Sequence, residues 1–239
     1  MQIVILLFFG VVLSSFILRV IGFGFGISIM AILLHIMPTG GEATTLSGIL
    51  AFVCGIGTAI KYRHHLHLSR LLALLLSFSL FAAVSVWSIS VIDARMLKKM
   101  VGAVLILLSL YFFFTDGGFH IRPSRLTNFV VGMLSGLMGG LFAMQGPPAV
   151  VYVLSITKSK EEYTSNIQWY LIFTNIILTS LRAGNGYLTE FVGECILYSL
   201  PAIFVGVYIG SKVYFRINIR ILKRAVYFFL AISGLAAMF

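Results

Sequence analysis

Apolar residues run along the chain in ten blocks: about 3–20, 23–37, 43–60, 69–91, 97–115, 126–142, 146–157, 163–182, 190–211 and 219–238. Glycines, prolines or short clusters of charge separate them, as turn chemistry requires. Most blocks reach or approach the ~20 residues with which a helix crosses a bilayer. The second and seventh are shorter, about fifteen and about twelve residues. Those lengths suit half-helices or re-entrant segments better than full spans. The pattern predicts an all-α, polytopic integral membrane protein with broken or re-entrant helices.

Composition strengthens that reading. Of 239 residues, 60% are hydrophobic and 10% charged, with a mean hydropathy of +1.06. A soluble domain carries about 25% charged residues, and this chain folded in water would expose a large apolar surface. The opening MQIVILLFFG lacks a positive n-region and a small-x-small cleavage site, so it is expected to be the first membrane segment rather than a signal peptide. Cys54 and Cys195 lie inside apolar blocks and read as packing residues, not as a disulfide or a metal pair. The net charge of +10 reports orientation in the membrane rather than nucleic-acid binding.

The two halves echo one another. A shift of 120 residues places Gly26 on Gly146 and Glu42-Ala-Thr-Thr45 on Glu162-Tyr-Thr-Ser165. Near the ends, Asp93-Ala-Arg-Met-Leu-Lys-Lys99 aligns with Asn218-Ile-Arg-Ile-Leu-Lys-Arg224. A duplication is therefore expected, with repeats at 1–115 and 126–239 and a linker at 116–125. If blocks 3–20 and 23–37 form one crossing, the repeats are parallel; if they form a hairpin, the repeats are inverted. The hairpin gathers Lys61, Arg63, Arg70, Arg122, Arg125, Lys158, Lys160, Lys212, Arg216, Arg220, Lys223 and Arg224 on one face. The other face keeps Arg95, Lys98, Lys99 and Arg182. The positive-inside bias favours the hairpin, inverted repeats and both termini outside the cytoplasm.

Gly22, Gly24 and Gly26 precede the second block; Gly139-Gly140 and Gln145-Gly-Pro-Pro148 precede the seventh. A glycine costs a helix roughly 1 kcal/mol relative to alanine, so a bent or bare backbone is needed there. Pro147 and Pro148 suit a first helical turn. Each half is expected to hold a break followed by a helix N-terminus at membrane depth, where irregular backbone survives only against protein or a wet cavity. Free N–H groups and the dipole favour an anion there. Two inverted copies aim such ends at one midplane site. Close helix packing is the alternative use of small residues, and it is the favoured one for Gly132 and Gly136.

"IGFGFGISIMAILL" and "GMLSGLMGGLFAMQGPPAVVYVL" resemble the two glycine-rich signatures of the TauE/SafE sulfite exporter family of membrane permeases. The resemblance covers nearly the whole chain, including the basic loop KYRHHLHL. Ala31 departs from it, standing about where a proline often occurs. The resemblance implies export of small sulfur-containing anions such as sulfite and sulfonates.

Several further polar residues are candidate substrate contacts. Ser28 belongs to the first glycine stretch. Thr44, Thr45 and Ser47 open the third block; Thr164, Ser165, Asn166 and Gln168 open its counterpart, and Asn175 lies within it. Hydroxyls at these places serve as helix caps as readily as substrate contacts. Of the amides Gln168 and Asn175, one is expected to face a pathway rather than both facing lipid. Arg19, His35 and Arg182, with Glu194, are the ionisable groups nearest membrane depth. Arg19 can attract an anion, His35 can relay a proton, and Arg182 can snorkel to the interface. His64, His65 and His67 read as a solvated loop, because a closed zinc site needs more ligands. No catalytic constellation and no phosphate-binding loop appears, so neither enzyme chemistry, a cofactor, a metal nor ATP-driven transport is expected.

The function expected is a secondary permease exporting a small anion (sulfite, sulfonate or a related organic acid) across the bacterial inner membrane. Gly22, Gly24, Gly26, Gln145, Gly146, Pro147 and Pro148 would form its centre, with proton or sodium coupling left open along with the oligomeric state. The alternative is a non-transporting membrane partner of an enzyme complex. A polar cavity between the breaks supports the first; a dry, packed centre supports the second.

Overall fold

The computed structural model describes residues 2–89, 91–115 and 122–213 and the isolated positions 228 and 235. The tenth block, the motif at 218–224 and most of the linker lie outside the described residues. Within them the chain is helical: α1 (Gln2–Ile21), α2 (Phe25–Ile36), α3 (Gly40–Lys61), α4 (Leu68–Ile89), α5 (Ala94–Thr115), α6 (Arg125–Phe142), α7 (Gly146–Ile156), α8 (Lys160–Gly184) and α9 (Glu190–Val213). A 3₁₀ turn, Arg63–His65, joins α3 to α4. Five of these helices are long and apolar enough to cross a membrane: Ile3–Ile21 of α1, then α3, α4, α6 and α9. The short α2 and α7 are apolar as well.

Helix starts follow their capping residues. Thr39 Oγ1 accepts from Glu42 N–H (3.1 Å), and Glu42 Oε2 accepts from Thr39 N–H (3.1 Å). This reciprocal capping box opens α3. Ser159 Oγ accepts from Glu162 N–H (3.1 Å) at the start of α8, where Glu162 Oε2 takes Lys158 N–H (2.9 Å). Each glutamate also ties down a distant loop. Glu42 Oε1 accepts from Thr189 Oγ1 just before α9 (2.7 Å), and Glu162 Oε1 from Arg70 near the start of α4 (2.6 Å).

Directions follow from side-chain pairings. Ser28 Oγ donates to Ser14 Oγ (2.9 Å), and Gly10 lies beside Ile29 and Ile32, so α1 and α2 fold back as a hairpin. Ser77 and Ser85 of α4 donate to Asn128 O (3.2 Å) and Gly136 O (3.1 Å) of α6; α4 and α6 are therefore parallel. On the other side, Gly206 of α9 packs on Val12, Ser15 and Phe16 of α1, and Gly210 on Arg19, so α1 and α9 are parallel too. At the centre α3 and α8 cross antiparallel, with Thr44 beside Arg182 at one end and Gly55 beside Gln168 at the other. Gly132 and Gly136 lie against the α4 backbone, the packing use expected of them.

One end of the bundle gathers Lys61, Arg63, Arg70, Lys158 and Lys160. There Arg70 Nη1 donates to Ile156 O (3.2 Å), and His67 Nε2 lies 3.4 Å from Glu162 Oε1. That carboxylate, absent from the loop's own sequence, is brought beside the loop's third histidine by the start of α8. Among the described residues, no three His, Cys, Asp or Glu side chains gather as a metal site. Cys54 and Cys195 are both free and buried.

Candidate functional site

The two breaks meet. Between α1 and α2 the chain turns through Gly22 (φ 92°) and Gly24 (φ 100°), left-handed conformations that glycine adopts without strain. Between α6 and α7 it turns at Ala143 (φ 56°), a conformation costing an L-residue roughly 1–2 kcal/mol. Gly26, in the first turn of α2, lies against the Ala143 carbonyl so closely that a Cβ would overlap the oxygen. The hairpins α1–α2 and α6–α7 thus touch tip to tip, backbone on backbone.

A small cavity, about 30 Å³ of space open to a water molecule's centre, lies beside this contact. Gly24 to Ile27 line it from the first break, and Ala143 to Gly146 from the second. The crossing helices close the remaining walls: Ser47, Ala51 and Gly55 from α3, and Gln168, Leu171, Ile172 and Asn175 from α8. Small residues on α3 leave the space; amides on α8 make it polar.

The amides are held in place. Gln168 Nε2 donates to Gly22 O (2.8 Å), satisfying a carbonyl at the end of α1. Gln145 Nε2 donates to Asn175 Oδ1 (2.8 Å), a bond that does not use the Asn175 Nδ2 donors. The Gln145 backbone carbonyl accepts from Ser135 Oγ. Gln145 Oε1 and Ser47 Oγ are buried without a hydrogen-bond partner. Orphaned polar atoms of this kind cost about 1–3 kcal/mol each.

Of the residues singled out in the sequence, Gly24, Gly26, Gln145, Gly146 and Gln168 line the cavity. Ser47 and Asn175 join them. Gly22 contributes its carbonyl through Gln168. Pro147 and Pro148 occupy the first turn of α7, but neither has an N–H. The two N-termini therefore differ: Gly146 supplies the N–H of the α7 first turn, whereas α2 presents those of Phe25, Gly26 and Ile27.

Other candidates are occupied elsewhere. Ser28 binds Ser14 and the carbonyls of Gly24 and Phe25 inside the first hairpin. The hydroxyls of Thr44 and Thr45 both return to Gly41 O (3.0 and 2.7 Å), and Thr164 donates to Lys160 O (2.8 Å). Asn166 holds the 3₁₀ turn, bonding His65 O (3.2 Å) and His67 N–H (3.1 Å). Ser165 is buried outside the cavity lining. Arg19 reaches Ser211 Oγ (2.7 Å) and Thr58 Oγ1 (3.1 Å), away from the cavity lining. His35 is exposed and contacts Ala31 O (3.1 Å). Arg182 does not snorkel: it is 0% exposed and reaches inward to three backbone carbonyls. A helical side chain leans toward the helix N-terminus, and here that direction leads into the core.

A bundle of apolar helices with two broken hairpins facing a shared polar cavity defines a multi-pass membrane protein of transporter type. The profile of the family described as sulfite exporter TauE/SafE matches residues 6–237, and the chain belongs to that family. It is a family of membrane transporters of the sulfite- and anion-exporter type, not of enzymes. Comparison with curated proteins and with solved structures gives no match.

Proposed function

We propose that this protein is a secondary permease that exports a small anion, such as sulfite, an organosulfonate or a related organic acid, from a bacterial cytoplasm. The observation that carries the reading is the convergence of both helix breaks on one polar cavity. Gly24, Gly26, Gln145, Gly146, Gln168 and Asn175, with Ser47, form the anion site. Asn175 Nδ2 and the N–H groups of the α2 first turn suit sulfonyl oxygens, and among the described residues no carboxylate lines the wall. The amides of Gln145, Gln168 and Asn175 in the cavity wall argue against the dry, packed centre of a purely structural partner.

The opposite directions of α1 and α6, and of α3 and α8, support two inverted repeats, 1–115 and 126–239, joined by 116–125. The matched roles of Glu42 and Glu162 support it further. By the positive-inside bias, the end bearing Lys61, Arg70 and Lys158 faces the cytoplasm and both termini lie outside. An inside-negative potential then drives anion efflux by about 2.3 kcal/mol per charge per 100 mV. Proteoliposomes loaded with sulfite or alkanesulfonates should lose them faster than protein-free vesicles, and faster still under an inside-negative potential. Equal rates with and without protein for every anion would end this reading.

A further inference from the structure

The cavity accounts for the amides of Gln145, Gln168 and Asn175 and leaves one buried charge unexplained. Arg182 is wholly buried near the end of α8. Its guanidinium donates to Thr44 O (2.9 Å), Gly139 O (2.6 Å) and Gly140 O (3.0 Å), and its Nε has no partner. Among the described residues no carboxylate pairs with it; both ion pairs belong to Glu162 at the basic end. Carbonyl dipoles satisfy N–H groups but leave the unit charge uncancelled, and a buried charge is ordinarily paired.

The route from that charge to the cavity is short. A side chain begun at Gly48 would start 3.5 Å from Arg182 Nη1, 3.6 Å from Asn175 Oδ1 and 3.4 Å from Thr179 Oγ1. Arg182 Nη1 and the cavity-lining Asn175 Oδ1 are therefore no more than about 7 Å apart. At that range, across protein rather than water, Coulomb attraction acts with little screening.

We propose that the transported anion is the missing counter-ion of Arg182, which makes Arg182 the residue that selects substrates by net charge. It acts at a distance through the cavity field, while the amide N–H groups of Asn175 and Gln145 and the Ser47 hydroxyl donate to the oxygens. Dianionic oxyanions then bind better than monoanionic sulfonates, and both better than zwitterionic aminosulfonates of zero net charge. The inference rests on the transport reading above.

Gly48 provides the test, because a Cβ there meets only ordinary contacts. Gly48→Asp tethers a counter-charge beside Arg182, and Gly48→Asn is its neutral counterpart. Efflux KM is measured for sulfite at a pH where it is the dianion, for an alkanesulfonate and for an aminosulfonate. Gly48→Asp should raise KM on the order of tenfold for the monoanion and a hundredfold for the dianion, and leave the zwitterion unchanged, since Coulomb energy scales with charge. Gly48→Asn should stay near wild type throughout. If Asp and Asn act alike, or the loss is equal for all three substrates, Arg182 is only a structural brace and the proposal is overturned. If Gly48→Asp does not assemble, Arg182→Lys and Arg182→Gln read the same preference. Lysine should retain it and glutamine flatten it; retention in glutamine overturns the proposal. Wild-type protein that moves no anion removes the transport reading itself, and this inference with it.

Discussion

Gly26→Ala should strongly destabilise the protein rather than alter its selectivity. The added Cβ falls on the Ala143 carbonyl oxygen, a backbone atom held by the α6 turn and unable to rotate aside. Relief requires the tip of one hairpin to move off the other. Overpacking of this kind costs about 1–3 kcal/mol, with a rigid backbone atom placing it at the upper end, against a total stability of about 5–15 kcal/mol. The expected result is a sharp fall in monodisperse yield and in thermal midpoint in detergent. Gly57→Ala is the control, because nothing lies within 4 Å of a Cβ there. Equal behaviour of the two variants would mean that the hairpin tips do not meet as described.

Gln145→Glu should do the opposite, sparing the fold and removing transport. The side chains match in shape. Asn175 can turn its amide over and donate to the carboxylate, so the buried link between α7 and α8 persists. What changes is charge in the cavity wall. A carboxylate about 5 Å from a bound anion repels it by about 3 kcal/mol at an effective dielectric of about 20, more than a hundredfold in affinity. Neutral Gln145→Met should cost far less. Anion efflux with unchanged KM in Gln145→Glu would show that the substrate does not pass this wall.

The architecture was largely legible because bilayer thickness fixes the length of apolar blocks. The blocks expected at 43–60 and 190–211 appear as Gly40–Lys61 and Glu190–Val213. The breaks were legible because glycine and paired proline have few other uses inside an apolar run. Gln168 and Asn175 were legible for a related reason: an amide there needs a polar neighbour. Thr44, Thr45 and Thr164 misled because a helical hydroxyl can bond a carbonyl one turn back and need nothing else. Asn166 misled because its partners are backbone groups of a loop about 100 positions away. Arg182 was hardest. It lies near a block end, where snorkelling is the usual outcome; only the α3–α8 crossing, made close by Gly48, shows it turned inward.

The central claim is that an anion path runs between the two helix breaks. Gly146 tests it most directly. A Cβ there meets only ordinary contacts, with Phe23 at 3.7 Å, so Gly146→Leu directs its bulk into the cavity without a clash at its first atom. Wild type and Gly146→Leu should be compared at equal incorporation in vesicles loaded with sulfite. The predicted result is rapid efflux in wild type and near-background efflux in the variant, with both proteins equally folded. Wild-type efflux rates in a folded Gly146→Leu would contradict the account, because the path would then lie elsewhere.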